Sequence, residues 1–157
     1  GPIVVGGGPS GATAAHDLAR QGRKVLLLER GFRIKPCGGA IPPCLLEEFD
    51  IPEHLLKARI RSARMVSPRG ESVDMPIDGT FVGMVDRDEF DPWLRDRAGR
   101  AGADVVAGVF KSLSYEGDLV SLNYQAKDEN HRTETATARR ERDKTEKKRA
   151  AGSNKKV

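Results

Sequence analysis

Residues 3–30 read IVVGGGPSGATAAHDLARQGRKVLLLER, and the order of residue types in this stretch decides the fold. Ile3, Val4 and Val5 are β-branched and run straight into glycines, the mark of a short strand entering a tight turn. Over residues 10–21 the pattern becomes helical. Ala12, Ala15, Leu18 and Ala19 recur at steps of three and four, while His16, Asp17 and Arg20 fall between them. Gly22 ends the helix, and residues 25–28 form a continuous Val-Leu-Leu-Leu run, as strands buried on both faces of a parallel sheet do. The stretch is a β-α-β unit.

Gly6, Gly8 and Gly11 complete a GxGxxG pattern at the strand-to-helix turn, the context in which that otherwise weak pattern carries meaning. Gly6 permits the tight turn, Gly8 leaves bare backbone for a pyrophosphate, and Gly11 lets the helix approach the strand. The first-turn amides and the positive helix end then face the phosphates. Glu29 closes the second strand 18 residues beyond Gly11, where a carboxylate accepts from the ribose hydroxyls of an adenosine moiety. That carboxylate repels a 2′-phosphate, so the turn is expected to take FAD or NAD rather than NADP. The competing reading is a glycine turn that only packs a corner, with Glu29 a surface residue.

The chain has 157 residues, 38% hydrophobic and 32% charged, which bounds one modest domain, and no apolar run is long enough to cross a membrane. Its net charge of +4 is unevenly placed. Residues 127–157 carry 11 basic and six acidic side chains, so the remainder is close to neutral and no nucleic-acid partner is expected for it. With one large aliphatic and no aromatic residue, this basic tail cannot recover its ordering entropy by burial, and it is expected to be disordered or non-native. Cys37 and Cys44 form no CxxC pair, and His16, His54 and His131 show no ligand spacing, so no disulfide and no metal are expected and the compartment is cytosol-like.

Between the unit and the tail, residues 31–43 make a loop rich in Gly, Pro and Cys, followed by short helices opened by Pro43 and Pro52. Residues 60–67 and 72–75 form a hairpin around Pro68-Arg69-Gly70, and residues 81–85 form a strand. A second helix covers residues 88–101, with Phe90, Trp93, Leu94, Ala98 and Ala101 on one stripe, Arg95, Asp96 and Arg100 opposite, and Pro92 in its first turn. Gly102 stops it, a strand follows at 104–107, and residues 109–115 pair with 119–125 around Glu116-Gly117-Asp118. The fold expected is α/β: a Rossmann-like FAD/NAD(P)-binding domain over residues 1–126, with a parallel sheet and β-hairpin additions, truncated.

The run Gly6-Gly7-Gly8-Pro9-Ser10-Gly11-Ala12 with Leu18, Gly22, Val25 and Glu29-Arg30 resembles the opening of flavoprotein monooxygenases and their reductase relatives, which favours FAD. Two further segments, KPCGGAIPPCLLEEFDIP at 35–52 and GMVDRDEFDPWLRDRAGRAGADVVAG at 83–108, resemble geranylgeranyl reductase of the chlorophyll and bacteriochlorophyll type, N-terminal part only. The resemblance covers residues 3–126. It implies an FAD-dependent oxidoreductase that reduces the geranylgeranyl chain to phytyl with NADPH as electron donor. The prenyl acceptor would be a prenylated pigment or geranylgeranyl diphosphate, and the enzyme would be cytoplasmic, peripheral to a photosynthetic membrane.

Carried onto this chain, the resemblance puts Gly6, Gly8, Pro9, Ser10 and Gly11 on the FAD pyrophosphate and Glu29 with Arg30 on the adenosine. Cys37, Gly38, Gly39 and Ala40 form a loop near the flavin, Arg87 contacts the cofactor, and Val109 offers backbone to adenine. Each has a plainer reading: Arg87 pairing only with Asp88, Asp91 or another acid, Cys37 a small packing residue rather than a catalytic thiol, Cys44 and the Phe90-Trp93 pair part of the core. The family's downstream Gly-Ala-Asp-Gly turn and Gly-Asp motif are not in residues 127–157, so the chain alone is expected to be inactive. The alternatives are an FAD-dependent monooxygenase or halogenase-like hydroxylase, and a non-catalytic remnant whose basic tail docks to anionic lipid or nucleic acid.

Overall fold

A computed structural model of the chain describes residues 1–31, 35–127 and 131–139. These fall into two compact units, one built from residues 1–31 with 97–127 and 131–139, the other from residues 35–96.

In the first unit, strand β1 (Ile3–Val5) pairs in parallel with β2 (Leu26–Glu29), with Ile3 opposite Leu26 and Val5 opposite Leu28. Helix α1 (Pro9–Arg20) connects them. Its small residues Ala12, Ala15 and Ala19 are its buried face. Pro at the first helical position and an extended Gly8 as N-cap start it, because proline lacks only an amide that would have no helical partner there. The helix closes with two crossed amide bonds, Gly22 N–H to Ala19 O at 2.9 Å and Arg23 N–H to Leu18 O at 3.2 Å, with Gly22 at a φ of +77°. That stop turns the chain directly into β2, whose Leu27 and Leu28 are fully buried, each contributing about 1.5–3 kcal/mol.

Helix α3 (Arg87–Arg100) ends by the same device: Gly102 N–H reaches Gly99 O and Ala103 N–H reaches Ala98 O, with Gly102 at a φ of +105°. It feeds β8 (Asp104–Glu116), which runs parallel to β2 from Asp104 opposite Leu26 to Ala107 opposite Glu29. The strand expected at 104–107 and the first arm of the following hairpin are one continuous strand. Beyond Ala107, β8 turns to antiparallel pairing with β9 (Leu119–Ala126), with a register shift between Phe110 and Ser112 and Gly117 at the turn. Leu28, Leu122, Tyr124 and Ala126 form a buried cluster there, with Ile3, Leu26 and Val106 packed against it.

The sheet does not stop at Ala126. Thr133–Arg139 forms strand β10, antiparallel to β9, which corrects the expectation of disorder for that part of the tail. Its Thr and Ala residues alternate, so Ala136 and Ala138 turn inward while the threonines face solvent, and Thr135 Oγ1 donates to Asn123 Oδ1 at 2.7 Å. The strand order is β1-β2-β8-β9-β10. The remainder of the expected tail, 140–157, lies outside the described residues, as does 32–34 in the loop.

In the second unit, β3 (Ala40–Ile41) and β4 (Leu56–Ile60) flank β7 (Val82–Val85) in an antiparallel sheet. The 31–43 loop therefore contains a strand, and residue 60 belongs to β4, a strand the sequence pattern does not mark. Helix α2 (Pro43–Glu48) forms as expected, while Pro52 opens only a 3-10 turn, Glu53–Leu55. β5 (Ser62–Val66) and β6 (Ser72–Pro76) make the expected hairpin, stapled by a two-pronged Arg64–Asp74 pair. In α3 two expectations change: Pro92 is the sixth helical residue rather than a first-turn one, and Arg95, assigned to the solvent side, is 8% exposed. Among the described residues, no helix is long and apolar enough to cross a membrane.

Candidate cofactor-binding site

The glycine turn of the first unit has three glycines with three different reasons to be glycine. Gly6 holds a φ of +103° and donates its N–H to Leu28 O at 2.7 Å, which binds the turn to the neighbouring strand. At Gly11 a Cβ would stand 1.9 Å from Gly6 O and 3.4 Å from Val4 Cγ1, so only glycine lets α1 lie this close to the turn. At Gly8 a Cβ would meet nothing within 4 Å: the reason for glycine there is open space at the helix start, where a ligand can approach backbone. No side chain caps α1 and no acidic residue stands in its first turn, so the partial positive charge of that end is not offset locally.

Glu29, at the carboxyl end of β2, closes the turn from the other side. Its Oε2 accepts from Gly7 N at 2.6 Å and its Oε1 from Gly31 N at 2.9 Å. Each carboxylate oxygen keeps a further acceptor site, which is what a pair of vicinal hydroxyls needs. The sequence predicts the ribose contact but not the amide bonds, because backbone donors leave no mark in residue identity. Arg30 follows at the strand tip, exposed and, among the described residues, without an ion pair. Pro9, Ser10 and Gly11 line the start of α1 as expected. Val109 lies within β8 opposite Gln125, two residues past the end of the β2 pairing, rather than after the strand.

In the second unit the structure brings together Cys37, Gly38, Gly39, Ala40 and Arg87. Ala40 pairs with Met84 of β7, and Val85 N–H donates to Gly39 O at 3.0 Å. Gly39 sits at a φ of +66°, and a Cβ there would stand 2.0 Å from Val85 O, so the loop docks on β7 through bare backbone. Arg87, at the start of α3, is clamped by Asp91 one turn on: Nε to Oδ1 at 2.7 Å and Nη2 to Oδ2 at 2.9 Å. Asp91 is 7% exposed, and the pair raises the guanidinium pKa further above its already high value.

The exposed Cys37 thiol has its pKa lowered, first by the Gly39 amide donating to sulfur and then by Arg87. Cys44 is exposed too, not packing. Phe90 is core at 6% exposure and stacks on Trp93 with ring centroids 6.4 Å apart.

Parallel strands carrying a glycine turn, an open helix start and a strand-end carboxylate define a Rossmann-like dinucleotide-binding domain, and a family model described as NAD(P)-binding Rossmann-like domain matches residues 4–42. Comparison with known proteins is narrower. The chain is 64% identical over 108 residues to the geranylgeranyl diphosphate reductase of Rhodobacter capsulatus, a match that covers 69% of this chain and 28% of that protein. To the chloroplastic geranylgeranyl diphosphate reductase of Oryza sativa subsp. japonica it is 48% identical over 119 residues, 72% of this chain and 25% of the relative. Among solved structures, a geranylgeranyl bacteriochlorophyll reductase-like protein of Thermoplasma acidophilum superposes with a TM-score of 0.74 at 27% identity, covering 88% of this chain and 36% of that one. The chain is a homologue of the geranylgeranyl reductases, and it spans about a quarter of the length of the two curated relatives named.

Proposed function

We propose that the chain is the FAD-binding portion of a geranylgeranyl reductase, an oxidoreductase that saturates prenyl C=C bonds with NADPH as electron donor. The observation that carries this is the 64% identity over 108 residues to the Rhodobacter capsulatus enzyme, in a chain that carries a turn whose geometry suits a dinucleotide. The residues fit the cofactor on their own terms: open space at Gly8, an uncapped helix start and a carboxylate at the next strand end.

Gly6, Gly8, Pro9, Ser10 and Gly11 would hold the pyrophosphate, and Glu29 with Arg30 the adenosine ribose. In this reading, which the family resemblance supports, the Cys37-Gly38-Gly39-Ala40 loop, Arg87 and Val109 are further cofactor contacts. When bound, FAD supplies the hydride-transfer chemistry. What these residues do is bind and orient: amides and the helix end neutralise phosphate charge, and Glu29 disfavours a 2′-phosphate. The FAD-binding portion is assigned to residues 1–126 together with β10. The substrate is a geranylgeranyl chain on a pigment or diphosphate, met at the surface of a photosynthetic membrane.

Titration of the chain with FAD, followed by flavin fluorescence, tests the cofactor. Gly8→Asp is the informative control, since aspartate is a good N-cap that leaves the fold intact while placing a negative charge where the phosphates must sit. Binding by the wild type and none by Gly8→Asp is expected; equal binding by both removes the assignment. For the intact protein, anaerobic reoxidation of the NADPH-reduced flavin by geranylgeranyl substrate is expected, and strict dependence on oxygen contradicts a reductase.

A further inference from the structure

Two arginines of the second unit have their forks closed by a carboxylate, Arg64 on Asp74 and Arg87 on Asp91. Two others are held differently. β4 pairs antiparallel with β7, with Arg59 opposite Gly83 and Ile60 opposite Val82, and the same register one step on sets Arg61 opposite Phe81. Strand alternation then puts Arg59, Arg61 and Phe81 on one face. Both guanidiniums lie over the Phe81 ring, their central carbons 5.4 and 5.8 Å from its centroid. Backbone anchors the end of the strand, where Ile77 N–H donates to Arg61 O at 2.8 Å.

A ring draws a guanidinium by its charge and supplies no lone pair to the N–H fork. Among the described residues Arg61 makes no ion pair. Arg59 makes one, a single contact from Nη2 to Glu53 Oε1 at 3.3 Å with both side chains exposed, so that carboxylate is an exchangeable partner. Two cations gathered on one ring add their fields, which suits an anion of more than one charge. A terminal phosphate meets both demands, since its oxygens are also spaced for the guanidinium fork.

We propose that Arg59 and Arg61, held over the Phe81 ring, bind a terminal phosphate, either the 2′-phosphate of NADPH or the diphosphate of a prenyl substrate. Glu29 disfavours a 2′-phosphate at the glycine turn, so the group that distinguishes NADPH from NADH needs a cationic partner elsewhere. The inference rests on the reductase reading for the source of the phosphate alone. The site belongs to the second unit and is tested apart from FAD.

The experiment is calorimetric titration of the full chain, at fixed ionic strength, with 2′,5′-ADP and separately with geranyl diphosphate. Saturable binding of at least one is expected, and which one binds identifies the source. Arg61→Gln is expected to weaken it about tenfold, and Arg61→Lys, which keeps the charge but not the fork, about threefold. Glu53→Gln moves the other way and tightens binding about two- to threefold, because Arg59 loses its competing carboxylate. Gly8→Asp leaves the affinity unchanged. No saturable binding of either ligand, or equal binding by Arg61→Gln and wild type, overturns the proposal. Loss of binding in Gly8→Asp also overturns it, by assigning the phosphate to the glycine turn. Should Arg61→Gln fail to fold, Glu53→Gln decides, and unchanged or weaker binding there removes the site. A chain that binds no FAD yet shows this pattern would refute the cofactor reading and leave the phosphate site standing.

Discussion

Glu29 reaches back across the glycine turn and takes the amide of Gly7 at 2.6 Å, so the residue expected to read the ribose also holds the turn in shape. Its second oxygen does the same for Gly31 at 2.9 Å. A strand-end carboxylate that closes both flanking backbone segments preorganises the site before any ligand arrives.

Glu29→Ala is therefore expected to cost stability as well as affinity. Two amides lose a charged acceptor at a half-buried position, and the loss is about 1.5–3 kcal/mol, read as a lower urea midpoint with an unchanged slope. Glu29→Gln keeps one acceptor oxygen and is expected to lose about half as much. Wild-type stability in both variants would show that the carboxylate serves only a ligand.

The glycines of the turn separate fold from binding. Gly11→Ala drives a methyl to 1.9 Å from Gly6 O, backbone that cannot step aside, and is expected to destabilise by about 2–3 kcal/mol. Gly8→Ala meets nothing and costs about 1 kcal/mol or less through the poorer N-cap, yet it obstructs the approach of phosphate. Thermal unfolding and FAD titration of the pair should thus rank them in opposite order. A Gly11→Ala variant as stable as Gly8→Ala would contradict the packing role.

The paired glycines of the Cys-Gly-Gly loop are not equivalent either. Gly39→Ala combines a positive φ with a Cβ 2.0 Å from Val85 O, so it is expected to detach the loop from β7 at a cost above about 2 kcal/mol and to expose it to proteolysis. At Gly38 the nearest atom to a Cβ is Met84 Cε at 3.8 Å, an ordinary contact, and Gly38→Ala is expected to be neutral within about 0.5 kcal/mol. Limited proteolysis with mass mapping distinguishes them; equal protection of the two variants would count against the docking geometry.

These contrasts also mark how far sequence carries. The β-α-β unit is legible because strand, glycine turn, alanine-faced helix and apolar strand each follow a local rule, and the rules agree. The second helix is legible from its stripe, although Arg95 is buried against expectation because helical periodicity ranks faces by hydropathy and does not see where a long side chain finds a partner. β4 escapes because four of its five residues are exposed and show no alternation. β10 escapes because Thr, Glu and Ala bury little: it exists through its partner strand, a non-local cause. Of the site, residue types and spacing are legible, whereas the Gly7 and Gly31 amides on Glu29 are a property of folded backbone.

The attachment of β10 can be read by titration. Tyr124 of β9 donates its hydroxyl to Glu134 of β10 at 2.5 Å, and that bond, followed by burial, pushes the Tyr124 pKa up to about 12. The folded value lies above the unfolded one, so the stability this tyrosine contributes is fully present below about pH 10 and is lost as pH rises toward about 12. Ultraviolet difference titration of tyrosinate is expected to show a component near pH 12 that disappears in Tyr124→Phe and moves down in Glu134→Gln, where the charged acceptor is gone. Since Thr133–Arg139 adds little apolar burial, losing this bond should release the strand, seen as faster amide exchange at Ala136 and Ala138 in either variant. Exchange unchanged in both would mean that the backbone ladder alone holds β10.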